Sequence, residues 1–150
     1  MSVQVRQDND ITPFIRYGLG LTQADAVVLQ DAGRTVALVF GTLMAKVVAT
    51  GGWTPFIDAA ATDGTAIPQG IFMGADVSAA KIVAGDVPDI PILIGGGVIV
   101  SKDKIVIENS LTLDTVITVG TTDLRTVQDR LAARGIYAEE TINITNYENI

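Results

Sequence analysis

The chain has 150 residues, 48% hydrophobic and 18% charged, with 10 Lys and Arg against 17 Asp and Glu for a formal net charge of −7. Cysteine and histidine are absent, which removes thiolate nucleophiles, Cys/His zinc sites, disulfides and the commonest general base. The acidic balance and the scattered basic residues disfavour a surface that tracks phosphates, so no nucleic-acid partner is expected.

Length suits one domain, able to bury roughly 68–70% of the surface its unfolded chain exposes. No apolar run approaches the ~20 residues of a bilayer-spanning helix, so no membrane partner is expected either. The mean hydropathy of +0.40 is high. That apolar surplus suits contact with another subunit, or else a monomer with a core rich in Val and Ala. Ser2 to Asp8 lack the basic start and apolar middle of an export signal.

Residues 1–22 read as an extended arm. Ile11, Pro13, Ile15, Tyr17, Leu19 and Leu21 occupy odd positions, and the even ones are small or polar except Phe14. Pro13 cannot donate a ladder hydrogen bond, and Gly18 and Gly20 weaken an isolated strand by roughly 0.5–1 kcal/mol each relative to Ala. Such a segment gains order by lying on something. It could add a strand to a partner's sheet edge, form an edge strand of its own domain, or fray.

The core is expected from Ala26. Val27-Val28-Leu29 reads as a strand, although Thr22-Gln23-Ala24-Asp25 has the shape of a helix capping box. Thr35–Phe40 reads as the next strand. Leu43 to Thr50 alternates with period two, Trp53 to Ile57 is a short extended piece fixed by Pro55, and Asp63-Gly64 is a turn. Pro68 and Gly70 lead into the strand Ile71-Phe72-Met73. Residues 77–86 are either loop or a single helical turn.

Ile90–Ile94 reads as a strand that Pro91 places at an edge or a strand start. Gly95-Gly96-Gly97 could cradle a phosphate, but such cradles open a helix and here Val98-Ile99-Val100 follows. A bend with close backbone approach fits better. Ser101 to Lys104 reads as a hairpin tip, with Ile105–Ile107 and Leu111–Val119 as strands. One helix is clear, capped at Thr121-Thr122-Asp123, with Leu124, Val127 and Leu131 at helical spacing and Gly135 as its stop. Its Arg125, Arg130 and Arg134 either complement the helix dipole or face an acidic partner. Thr141–Thr145 is a last alternating strand.

No constellation carries catalysis. Asp58 and Asp63 lack further oxygen donors in register for a metal, and Ser101 beside Lys102 would point apart on a strand, with nothing marking an oxyanion hole.

The order and spacing of Gly41-Thr42-Leu43, Gly52-Trp53-Thr54-Pro55, Thr62-Asp63-Gly64-Thr65-Ala66-Ile67-Pro68-Gln69-Gly70-Ile71 and Leu131-Ala132-Ala133-Arg134-Gly135-Ile136 resemble the lambda-type head decoration proteins of tailed bacteriophages, over about residues 26–137. The resemblance implies a mainly β fold with one short C-terminal helix (α+β), of β-clip or β-tulip type, as a single domain over 23–150 behind the arm. It implies a homotrimer on the outer surface of the virion's expanded capsid, at three-fold and quasi-three-fold sites. There it would bind the major capsid protein and cement the head against DNA pressure, without cofactor, metal or enzymatic activity, after synthesis in the host cytoplasm.

Arm residues match by position and alternation, not by motif, which nominates Val3, Val5, Ile11, Pro13, Phe14, Ile15, Tyr17 and Leu19 as capsid contacts. Trp53, Pro55, Phe56, Pro68 and Ile71 are candidates for core or trimer interface. The chain is longer at both ends than the shortest members, leaving the contacts of residues 138–150 open. Another trimeric phage β module, such as a head fibre or tail component binding a receptor, stands as the alternative. An enzyme using Asp58 or Asp63 is the remaining one.

Overall fold

The computed structural model describes residues 14–118 and 125–140. In chain order they form Ile15–Tyr17 (β1), Leu21–Val28 (β2), Leu43–Lys46 (β3), Trp53–Pro55 (β4), Pro68–Phe72 (β5), Ala79–Ala84 (α1), Val87–Gly95 (β6), Val98–Ser101 (β7), Val127–Ala133 (α2) and Ile136–Glu139 (β8). The fold is mainly β with a small helical content. Five strands close into a barrel in the order β2-β4-β3-β5-β6, and the other three form a sheet, β1-β7-β8.

The alternation of the sequence explains how the two parts share one interior. In β3, Met44 joins a cluster containing Ala26 and Val28 of β2, Trp53 of β4, Phe72 of β5 and Ile90 and Ile92 of β6. Every barrel strand contributes, so this cluster fills the barrel, with Ile82 of α1 and with Leu38 and Val77 added to it. Leu43 and Ala45 turn to the opposite face and, with Ile71 and Leu93, meet Val98, Val100, Ile136, Val127 and Leu131. The three-stranded sheet and α2 therefore pack on the outside of β3, β5 and β6. Burying a side chain such as Leu131 stabilises by roughly 1.5–3 kcal/mol.

Several expectations change. The residues of Thr35–Phe40 form no strand, because Leu38 finds only an isolated bridge to Val77. Ile105–Ile107 and the described part of Leu111–Val119 likewise supply single bridges, Val106 to Thr42 and Val116 to Thr126. Pro91 lies inside a barrel strand and not at an edge. Its carbonyl accepts from the Met73 N–H at 2.9 Å, while on the β2 side the register slips between Gln23 and Ala26, which pair with Ile92 and Ile90. The missing N–H falls at that bulge, where no ladder bond is needed.

Among the described residues there are two α-helices where one was expected. Ser78 caps α1, its hydroxyl accepting from the Lys81 N–H. α2 starts at a reciprocal capping box, Thr126 accepting from the Asp129 N–H and Asp129 from the Thr126 N–H. The cap expected at residues 121–123 and the strand Thr141–Thr145 lie outside the described residues. Thr22–Asp25 is strand, not helix. Gly135, at φ +80°, follows the end of α2.

The glycine triplet is a bend with close backbone approach. A Cβ on Gly96, at φ +100°, would stand 2.6 Å from the Leu21 nitrogen, and one on Gly95 2.5 Å from the Arg134 carbonyl oxygen. The bend thus joins barrel and sheet where no side chain fits.

Candidate interaction surface

Residues 14–22, expected in a separate arm, belong to the folded body. Phe14 is only 8% exposed and sits in the core, its carbonyl accepting from the Ser101 N–H at 2.8 Å. β1 pairs antiparallel with β7, and β2 enters the barrel at Leu21. Phe14, the exception to the odd-even pattern, is the anchor. Gly18 and Gly20, at φ +83° and +72°, break the alternation after it, so the odd-numbered Tyr17, Leu19 and Leu21 all remain exposed.

β7 is the middle strand of the three-stranded sheet. Val98 and Val100 face inward to the core, as do Ile136 and Ala138 of β8. The residues between them form a transverse row on the outer face: Tyr17 is paired with Ile99, and Ile99 with Tyr137. Tyr17 is 72% exposed, Leu19 96% and Tyr137 47%, with Ile99 half-buried between the tyrosines. An aromatic-aliphatic-aromatic strip of this kind combines apolar area with two phenol groups, and side chains of these types are enriched where proteins meet.

The strip rests on a braced platform. The Arg16 guanidinium spans the sheet to donate to the Glu140 carbonyl oxygen at 2.7 Å, tying the strand at one edge to the chain just past the other. Among the described residues β1 has a strand on one side only. Its other edge therefore offers backbone groups for a further strand. Of the nominated arm residues, Tyr17 is in this row, Leu19 is exposed just after β1, Ile15 is half-buried against the core and Phe14 is buried in it. Val3, Val5, Ile11 and Pro13 lie outside the described residues. Sequence reasoning missed Ile99 and Tyr137. The β-branched run Val98-Ile99-Val100 read as a strand, but only the pairing of β7 with β1 and β8 brings Ile99 between the tyrosines.

The second set of candidates is mostly core. Trp53, Phe56, Pro68 and Ile71 are buried and Pro55 is half-buried. The Lys46 ammonium stands 5.6 Å from the Trp53 ring centroid, within reach of a cation–π attraction. Pro55 lines a cleft of about 300 Å³ with Asp31, Arg34, Asp63 and Thr65 among its walls. The aspartates there serve turns: Asp31 accepts from the Gly33 N–H at 3.0 Å, and Asp63 from the N–H and hydroxyl of Thr65. Those bonds hold the Asp63 carboxyl below its ordinary range, the Thr65 hydroxyl contributing most. Asp58 likewise accepts from the Ala60 N–H at 2.8 Å.

Among the described residues no group of three or more metal-ligating side chains converges, and no helix is long and apolar enough to cross a membrane. The chain matches no protein-family model and no curated protein.

Proposed function

We propose that the chain is a capsid decoration protein: a β-tulip-like homotrimer that binds the major capsid protein on the outer surface of an expanded phage head and cements it. The observation that carries this reading is the exposed strip Tyr17, Ile99 and Tyr137 on the sheet in which β1 is one edge strand among the described residues. A strip with apolar area beside an unpaired strand edge suits adhesion to another protein's sheet or loop.

The segment entering β1 carries Val3, Val5, Ile11 and Pro13, which in this reading lie along the capsid subunit as an added strand. Phe14 then separates the adhesive segment from the body. Cementing acts by mass action. A trimer that binds only the expanded lattice stabilises it by RT ln(1 + [L]/Kd), about 2.7 kcal/mol per site at a hundredfold excess over Kd, and the contributions of many sites add.

Deleting residues 1–13 tests the reading. A cut at residue 21 would remove Phe14 and β1 and unfold the body, whereas the shorter cut leaves both in place. The truncated protein is expected to stay folded and to lose binding to expanded heads. Undiminished binding would contradict the proposal. Electron microscopy of virions is expected to show its density on capsid faces, and density on a fibre or tail would contradict the placement.

A further inference from the structure

An open groove of about 430 Å³ lies between α2 and the barrel, lined by Ile67, Ile94, Arg130, Ala133 and Arg134. Its two arginines are four residues apart, so they project from one side of the helix end. Like charges at that spacing oppose helix formation. The dipole at the helix C-terminus favours both, but no acidic side chain does: the residues three and four positions from Arg130 are Val127, Thr126, Ala133 and Arg134, and those from Arg134 are Leu131, Arg130, Tyr137 and Ala138. Asp129 is occupied by the capping box. Neither guanidinium has a hydrogen bond or ion pair among the described residues, and the Arg130 Nε is fully shielded from solvent with no acceptor.

The Arg130 Nη groups and the exposed Arg134 guanidinium are the donors open to an acceptor in the groove. The Arg134 carbonyl packs against Gly95, next to Ile94, where a Cβ would stand 2.5 Å from its oxygen. We infer that this groove binds an acidic peptide segment of a partner protein, a carboxylate lying between Arg130 and Arg134 and a neighbouring aliphatic side chain on Ile67, Ile94 and Ala133. Guanidinium groups match a carboxylate in a two-bond fork. The apolar floor and the net charge of −7 favour a single carboxylate on an apolar stem over a polyanion. This inference stands apart from the capsid reading and uses a different surface.

The test is an NMR titration of the full chain with N-acetyl-Leu-Glu-Leu-amide and its Gln counterpart, following the arginine Nε–H and the Ile67 and Ile94 methyl signals. Saturable shifts at these groups with the Glu peptide are expected, with binding at least tenfold weaker for the Gln peptide. The paired substitution Arg130→Gln and Arg134→Gln is expected to weaken binding at least tenfold, and Lys81→Gln on α1 to leave it unchanged. Equal binding of the two peptides overturns the inference, leaving arginines that serve only the helix end. Tighter binding of inorganic phosphate than of the Glu peptide overturns it in favour of a general anion site. Dilution-dependent shifts at the same groups without peptide overturn it in favour of a second copy of this chain.

Discussion

The ring of Phe14 meets that of Phe40 edge-on, the centroids 5.2 Å apart and the planes at 82°. Phe14 begins the described chain and Phe40 lies just before β3 of the barrel, so the contact fastens the start of β1 to the body. Phe14→Ala is expected to destabilise by about 3–5 kcal/mol and to free β1 from β7. Urea unfolding measures the first effect, and hydrogen exchange at Ser101, whose N–H bonds the Phe14 carbonyl, measures the second.

A partly buried ion pair ties two irregular segments together. Arg34 and Glu108 meet at 2.8 Å with side chains 6% and 17% exposed, and Arg34 also donates to the Ala37 carbonyl. Glu108→Ala, which strands a buried cation, is expected to cost about 3–5 kcal/mol. The paired change Arg34→Met and Glu108→Leu is expected to be much closer to neutral, because it removes both desolvated charges. Denaturant midpoints of the three proteins check this.

At the glycine bend, Gly96→Ala combines a φ of +100° with a Cβ 2.6 Å from the Leu21 backbone nitrogen. A loss of more than about 1 kcal/mol is expected, read from thermal unfolding.

Asp63 gives the pH prediction. Its folded-state pKa is lowered by the hydroxyl and N–H of Thr65, so its contribution is fully present above the unfolded carboxylate's pKa. The contribution is lost as pH falls through the lowered value. The group is almost wholly exposed, which makes the effect small. Carbon-detected NMR titration is expected to place the Asp63 midpoint higher in Thr65→Val than in the native chain.

The period-two pattern located β3, whose residues divide between two cores as Leu43 and Met44 do, and apolar runs rich in β-branched residues located β6 and β7. Runs of that kind misled at Thr35–Phe40 and Ile105–Ile107. Leu38 is buried there and Ile105 and Ile107 are half-buried against the core, but strands also need a partner over several residues, and Leu38 and Val106 find one each. The candidate surface was half legible. Tyr17 and Leu19 stood out in the first segment, while Tyr137 sits 120 residues from Tyr17 in the sequence and joins it only through Ile99. The anchor Phe14 looked like an exception because its partner Phe40 is brought near by the fold.

The most direct test of the proposed function is co-sedimentation of the purified chain with phage heads built from the major capsid protein encoded beside it, before and after expansion. Saturable binding of trimers to expanded heads is predicted, with little on unexpanded ones and strong weakening by Tyr17→Glu with Tyr137→Glu. Equal binding to both head forms, or binding unaffected by those two substitutions, would contradict the account.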